Sequence, residues 1–204
     1  KEDFFIFDTE KDYEPIDNQD VDTTALLHDA LILGIQDYFQ KNGFKTATLG
    51  LSGGIDSAVV VALAAEALGS ENIRVLLLPS EYSTSHSITD AEGLAQNLSI
   101  QYDIVPIKDI YNTALKSLSP LFGDMPFSVA EENLQARIRG LLLMAVSNKF
   151  GNILLNTSNK SEVAVGYGTL YGDTNGSISV LGDVYKTDVF NLARYINRDH
   201  EIIP

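Results

Sequence analysis

Leu49-Gly50-Leu51-Ser52-Gly53-Gly54-Ile55-Asp56-Ser57 runs from an apolar strand into an apolar helix through adjacent glycines, two hydroxyls and an acid. Successive amide N–H groups at Gly53 and Gly54 converge on an anion only where no Cβ intervenes, and a helix starting at Asp56 or Ser57 turns its positive end toward the same point. Ser52 and Ser57 add hydroxyl donors. Asp56, a hard carboxylate beside phosphate oxygens, is the natural place for Mg²⁺. Neither the Walker spacing with its Lys-Ser or Lys-Thr nor the dinucleotide Gly-x-Gly-x-x-Gly spacing occurs here. A glycine turn of purely structural purpose is the competing reading, and the full pattern between strand and helix favours a phosphate loop.

The flanking pattern sets the fold. An amphipathic helix is expected from Thr23 or Thr24 to Gln40, stopped by Asn42-Gly43, and a strand over Thr46 to Leu51 feeds the loop. The helix Ser57 to Leu68 is apolar almost all round and should be buried. Arg74 to Leu78 reads as a second strand, Ser87 with Asp90 as the cap of a helix to Asn97, and Gln101 to Val105 as a third strand. A short helix spans Asp109 to Leu118, followed by a loop with Pro120, Gly123 and Pro126. Ser128 and Glu131 cap a long helix to Lys149 ahead of a fourth strand, Ile153 to Asn156. Alternating helices and apolar strands imply a doubly wound parallel α/β sheet, with ligands beyond the carboxyl ends of its strands. That places Ser52 to Ser57, Pro79 to Ser87 and Thr157 to Glu162 on one rim.

Bulk properties narrow the function classes. A chain of 204 residues with 45% hydrophobic residues supports one sizeable core, here assigned to residues 23–204, with 1–22 as an acidic linker or arm. Net charge is −14, and residues 1–24 alone carry nine acids against Lys1 and Lys11. No Lys/Arg cluster offers the basic footprint that nucleic acid requires. Absence of cysteine removes disulfides and thiolate chemistry, and no apolar run reaches the roughly 18 residues that span a bilayer. A cytoplasmic protein without nucleic-acid or membrane partners is the expectation.

Three further segments join the phosphate loop. Leu77-Leu78-Pro79-Ser80-Glu81-Tyr82-Ser83-Thr84-Ser85-His86-Ser87 follows the second strand, Glu131-Glu132-Asn133-Leu134-Gln135-Ala136-Arg137-Ile138-Arg139-Gly140 lies in the long helix, and Asn156-Thr157-Ser158-Asn159-Lys160-Ser161-Glu162 leads on through Tyr167 and Tyr171 to Asp173. The loop resembles that of the ATP pyrophosphatases. All four segments together resemble the synthetase domain of NAD synthetase, nearest in wording to the glutamine-dependent two-domain form, from about Thr24 onward. The resemblance implies the adenine nucleotide alpha hydrolase-like fold and ATP-dependent amidation of deamido-NAD through an acyl adenylate, with pyrophosphate and AMP released.

By the same resemblance Ser52, Gly53, Gly54, Asp56, Ser57, Leu78, Ser85, Thr157 and Lys186 contact ATP or its pyrophosphate. Asn133, Arg137, Glu162 and Asp173 contact deamido-NAD, and Asp56 with Glu162 holds Mg²⁺; Glu162 stands open between metal ligand and substrate contact. No general acid or base emerges. Other readings stay open for several side chains. Arg137 and Arg139 equally suit pairing with Glu131, Glu132 or other acids on an exposed helix, and Lys186 a solvated position before the last helix. Asp173 suits a turn as well as a ligand, and Tyr167 with Tyr171 suits core packing as well as a wall for the nicotinate ring. His86 is expected near the nucleotide, His28 and His200 in structural or surface places.

The resemblance also implies a homodimer and ammonia from a glutaminase domain that this sequence lacks. The Phe4 to Phe7 patch is then a remnant of contact with that domain, and the chain is expected to stop before a covering segment. Two alternatives remain at this point: another amidating synthetase of the GMP synthetase kind, or an ATP-binding module without catalysis.

Overall fold

In a computed structural model that describes residues 8–11, 22–81 and 83–204, the phosphate loop leaves the central strand of a five-stranded, all-parallel sheet. The Phe4 to Phe7 patch and most of the acidic arm lie outside the described residues. The elements run α1 (Thr23–Asn42), β1 (Ala47–Gly50), α2 (Ile55–Leu68), β2 (Ile73–Leu77), α3 (Ser85–Asn97), β3 (Gln101–Ile104), α4 (Lys108–Phe122), α5 (Val129–Phe150), β4 (Ile153–Asn156), α6 (Lys160–Val165), β5 (Ile178–Ser179) and α7 (Lys186–Ile196). Strand order is β3-β2-β1-β4-β5, with Ala47 of β1 in register with Ile73 on one side and Ile153 on the other. The chain builds outward from β1 to β3, then crosses to start the other half at β4. The crevice for ligands therefore opens between β1 and β4.

Period-two alternation along β2 divides the core between the two faces of the sheet. Ile73, Val75 and Leu77 join the larger cluster with α1, α2, α3 and α7, whereas Leu76 and, just past the strand, Leu78 join the smaller one with Ile107, Tyr111 and Ile138 under α4 and α5. Helix α2 is buried from Ser57 through Ala65, as its uninterrupted apolar face requires. His28 is buried too, with Nδ1 3.1 Å from Asp29 and Nε2 3.1 Å from Glu66, and it packs on Tyr195. Among the described residues no helix is long and apolar enough to cross a membrane.

Several boundaries differ from expectation for local reasons. Helix α2 starts at Ile55, because Gly54 is extended at φ −92° and serves as its cap without a side chain. Helix α3 is capped by Thr84, whose hydroxyl accepts from the Ser87 N–H at 3.2 Å; Ser87 with Asp90 is not the cap. Helix α4 runs four residues past Leu118 and contains Pro120. The carbonyl of Lys116, which loses its usual donor to the proline, accepts instead from Ser119 Oγ at 2.9 Å. The Ser128–Glu131 capping box forms as the sequence suggests, with the Ser128 N–H donating to Glu131 at 2.8 Å.

Candidate active site

The rim loops meet beyond β1. Gly53 has φ +77°, and a Cβ there would lie 2.3 Å from the Ser87 carbonyl oxygen, so this contact between the phosphate loop and α3 admits only glycine. Within the loop the two serines brace each other. Ser57 Oγ lies 3.0 Å from Ser52 Oγ, accepts from the Ser52 N–H at 3.2 Å and reaches the Gly54 carbonyl at 3.0 Å, while the Gly54 N–H donates to Ser52 Oγ at 3.2 Å. Ser57 is buried. Gly53 and Gly54 border a small hollow of about 200 Å³ shared with Asp90, Ile203 and Pro204.

Asp56, in the first turn of α2, is bound from both sides. One carboxylate oxygen pairs with the Lys186 ammonium at the start of α7, and the other accepts from Asn159 Nδ2 at 2.9 Å. Asn159 is fully buried and caps α6: its side chain accepts from the Glu162 N–H, and its own N–H donates to the Glu162 carboxylate, both at 3.1 Å. Asn159, 103 residues from Asp56 and three from Glu162, thus organises both carboxylates. Two hard carboxylates beside a phosphate loop suit Mg²⁺, which binds one or two carboxylates together with substrate oxygens. Among the described residues no group of three acidic, His or Cys side chains meets.

A cleft of about 720 Å³ opens at the carboxyl ends of β1, β2 and β4. Ser52, Leu78, Asn133, Thr157 and Asp173 line it; Arg137, Glu162, Lys186 and Asp56 do not. The Ser85 side chain lies outside the described residues, and its backbone opens α3. At about 100° per residue, Val129, Glu132, Asn133, Ala136, Arg139 and Leu143 form one stripe of α5, and Arg137 falls on its flank. All six members of the stripe line the cleft. A helical wheel thus picks out Arg139 where motif matching points to Arg137. Neither arginine pairs with Glu131 or Glu132: Arg137 Nε donates to the Leu170 carbonyl at 3.2 Å, and Arg139 Nε to that of Leu78 at 3.0 Å. Burial lowers the pKa of the Arg139 guanidinium.

Opposite α5, the segment Gly166–Asn175 forms the outer wall. Thr169 Oγ1 lies 2.9 Å from Asn133 Oδ1, and the Thr169 N–H donates to Asp173 at 2.9 Å, so Asp173 both closes a turn and lines the cleft. Asn156, at the end of β4, donates to the carbonyls of Asp173 and Asn175 at 2.7 and 2.9 Å. Gly140 allows the close approach, since a Cβ there would meet the Tyr171 carbonyl at 2.6 Å. Tyr167 and Tyr171 are 79% and 80% exposed, which rules out core packing; Tyr167 lines the cleft. Asn156, Asn159 and Arg139 all stand inside the quoted segments, yet motif order assigns none of them a ligand.

Residues 27–204 match the family model described as NAD synthase. The chain belongs to the NAD synthase family. It is 58% identical over 184 residues to the glutamine-dependent NAD(+) synthetase of Synechocystis sp., covering 90% of this chain and 33% of that protein. Among solved structures it resembles the glutamine-dependent NAD+ synthetase of Acinetobacter baumannii in complex with ADP (TM-score 0.89, 46% identity, 90% of this chain and 35% of the other). It also resembles the NH3-dependent NAD synthetase of Campylobacter jejuni (TM-score 0.79, 34% identity, 87% and 75%). The chain spans about a third of the curated relatives it matches. Family membership sets aside the GMP synthetase-like alternative and agrees with the all-parallel sheet.

Proposed function

We propose that this chain carries out the ATP-dependent amidation of deamido-NAD to NAD, as the ammonia-using part of a longer, glutamine-dependent protein of the cytoplasm. The observation that carries this reading is the cleft of about 720 Å³ at the strand switch, which joins the phosphate loop at Ser52, the β2 end at Leu78 and the α5 residue Asn133. The Acinetobacter relative is described in complex with ADP, and the Campylobacter one as NH3-dependent. Both descriptions fit a cleft that takes an adenine nucleotide and an enzyme that uses free ammonia.

In the proposed reaction a nicotinate carboxylate oxygen attacks the α-phosphorus, the bond to the bridging oxygen breaks and pyrophosphate leaves. Ammonia then adds to the acyl carbon, AMP departs and a proton is lost to solvent. Loop amides at Gly53 and Gly54, Ser52, Thr157 and Lys186 bind the phosphate chain; Ser57 holds the loop in shape, and Leu78 with the start of α3 at Ser85 seats the adenine. Asn133, Arg137, Glu162 and Asp173 orient the dinucleotide. The contribution of these groups is alignment and electrostatic stabilisation. Mg²⁺ held by Asp56 and Glu162 would supply charge neutralisation at the phosphates. Lys186, already beside Asp56, is placed to exchange its carboxylate partner for a phosphate.

A homodimer is part of the proposal. Leu121, Met125, Phe127, Val129 and Leu141 are large apolar side chains exposed between the end of α4 and the middle of α5. Val129 also lines the cleft, so a second copy on this face would border the substrate. Sedimentation at tens of micromolar is expected to give a dimer, and a monomer would remove this part.

The decisive experiment follows pyrophosphate release on adding ATP, Mg²⁺ and deamido-NAD, with and without ammonium, beside calorimetric titration of ATP. Release, followed by NAD formation with ammonium, supports the amidation. ATP binding with neither product favours the non-catalytic module instead.

A further inference from the structure

Arg139 is the single cationic side chain lining the cleft among the described residues, in a chain whose net charge is −14. Its place is fixed by the Nε–H bond to the Leu78 carbonyl, which ties the middle of α5 to the end of β2. Among the described residues no carboxylate lies within 4 Å of it, and no acceptor takes its Nη groups. The other two basic side chains of the site are engaged elsewhere, Lys186 with Asp56 and Arg137 with the Leu170 carbonyl. Glu132 and Asp173 line the same cleft without an ion pair to Arg139, and a half-buried guanidinium with no carboxylate in contact is costly unless a bound anion compensates it. Its planar fork of donors matches a pair of phosphate or carboxylate oxygens.

We infer that Arg139 is the oxyanion-binding residue of the cleft, its Nη groups taking two oxygens of a bound nucleotide. This rests on the nucleotide-binding reading above. The shared chemistry is a delocalised oxyanion, either a phosphate of the adenine nucleotide or the nicotinate carboxylate of the dinucleotide. Both sources lie within one cleft, and the ligand series below separates them.

The test is calorimetric titration of the full chain and of R139Q with adenosine, AMP, ATP, deamido-NAD and NAD. R139K serves as a second variant that keeps the charge and loses the fork. Wild-type binding of ATP or deamido-NAD comes first, and its absence overturns the underlying reading before any substitution is made. Given that binding, a loss of about 10- to 100-fold for AMP and ATP in R139Q, with adenosine unchanged, assigns Arg139 to a phosphate. A loss of similar size for deamido-NAD, with NAD unchanged, assigns it to the carboxylate. Parallel loss across the series, adenosine included, means that Arg139 only tethers Leu78 and overturns the inference, as does no change at all. If R139Q does not fold, the same outcomes are read from R139K, with losses of several-fold expected.

Discussion

The two walls of the cleft are built on opposite plans. The phosphate loop forms a closed wall, with Ser52 at the cleft and the start of α2 behind it: Ser52, Gly54 and Ser57 bond one another, Ser57 and Asn159 are buried, and Asp56 is held by Lys186 and Asn159. The wall made by α5 and Gly166–Asn175 is open, with Tyr167, Leu170 and Tyr171 facing solvent and Arg139 lacking a carboxylate partner among the described residues. The first wall is shaped before any ligand arrives, because its donors and acceptors fix each other. On the second wall, exposed rings and an uncompensated cation gain their partners only when something binds. Preorganisation on one side and free contact area on the other suit a site that grips one substrate by its phosphates and the second by surface.

The largest expected effect comes from breaking the closed wall. Gly53→Ala, with its Cβ against the Ser87 backbone at positive φ, is expected to cost about 3 kcal/mol and to abolish nucleotide binding, as read by chemical denaturation and calorimetry. Gly168→Ala on the open wall meets only the Thr174 hydroxyl, at 2.8 Å, and Asp173, at 3.7 Å, and should cost about 1 kcal/mol or less. Equal losses at the two glycines would erase the contrast.

Asp56→Asn removes the carboxylate that Lys186 and Asn159 hold, with little change in shape. Turnover should fall about 100-fold while the melting temperature moves by only a few degrees. Activity within a few-fold of wild type would make the Asp56 assignment wrong.

Asn133→Ala, which loses the contact with Thr169, sharpens the open side. Affinity for deamido-NAD should drop about 10-fold with ATP affinity unchanged. A matching loss for ATP would show that the walls are coupled.

The smallest effect lies at the start of α5. Ser128→Ala should lower stability by about 1 kcal/mol through loss of the cap. The Ser128 backbone N–H, chiefly, holds the Glu131 carboxyl below its usual range. A lowered folded-state pKa means that this contribution is complete above the ordinary carboxylate range and is lost as pH falls through it. Protection of the amides in the first turn of α5, relative to their intrinsic exchange rates, should therefore fall between neutral and acid pH in wild type and in S128A alike, because the backbone N–H is kept, and should lose that pH dependence in Glu131→Gln.

Much of this architecture was legible in the residues. The four main strands and the capped start of α5 followed from apolar runs, glycine stops and the Ser128–Glu131 spacing, since these depend on neighbours within a few positions. Pro120 makes helix α4 look short in the sequence, since a proline usually ends a helix, and the Ser119 hydroxyl that covers the freed carbonyl carries no pattern of its own. The two-residue strand β5 and the six-residue helix α6 are too short to give a period. Motif order gathered Ser52, Leu78, Thr157, Asn133 and Asp173, and the structure lines one cleft with them. Motif order makes Arg137 a contact of deamido-NAD, and in the structure Arg137 flanks the cleft stripe on which Arg139 lies.

The sequence by itself determined the strand-to-helix phosphate loop and the order of the elements, because glycine conformation and apolar periodicity act over a few residues, and its four motifs carried the resemblance to the family. Only the tertiary structure decided which polar groups meet across more than a hundred positions, such as Asn159 with Asp56 and Lys186 with Asp56. Only it decided, too, which face of α5 turns toward the cleft. Those outcomes depend on how the helices rotate and dock on the sheet, and no local pattern carries that information.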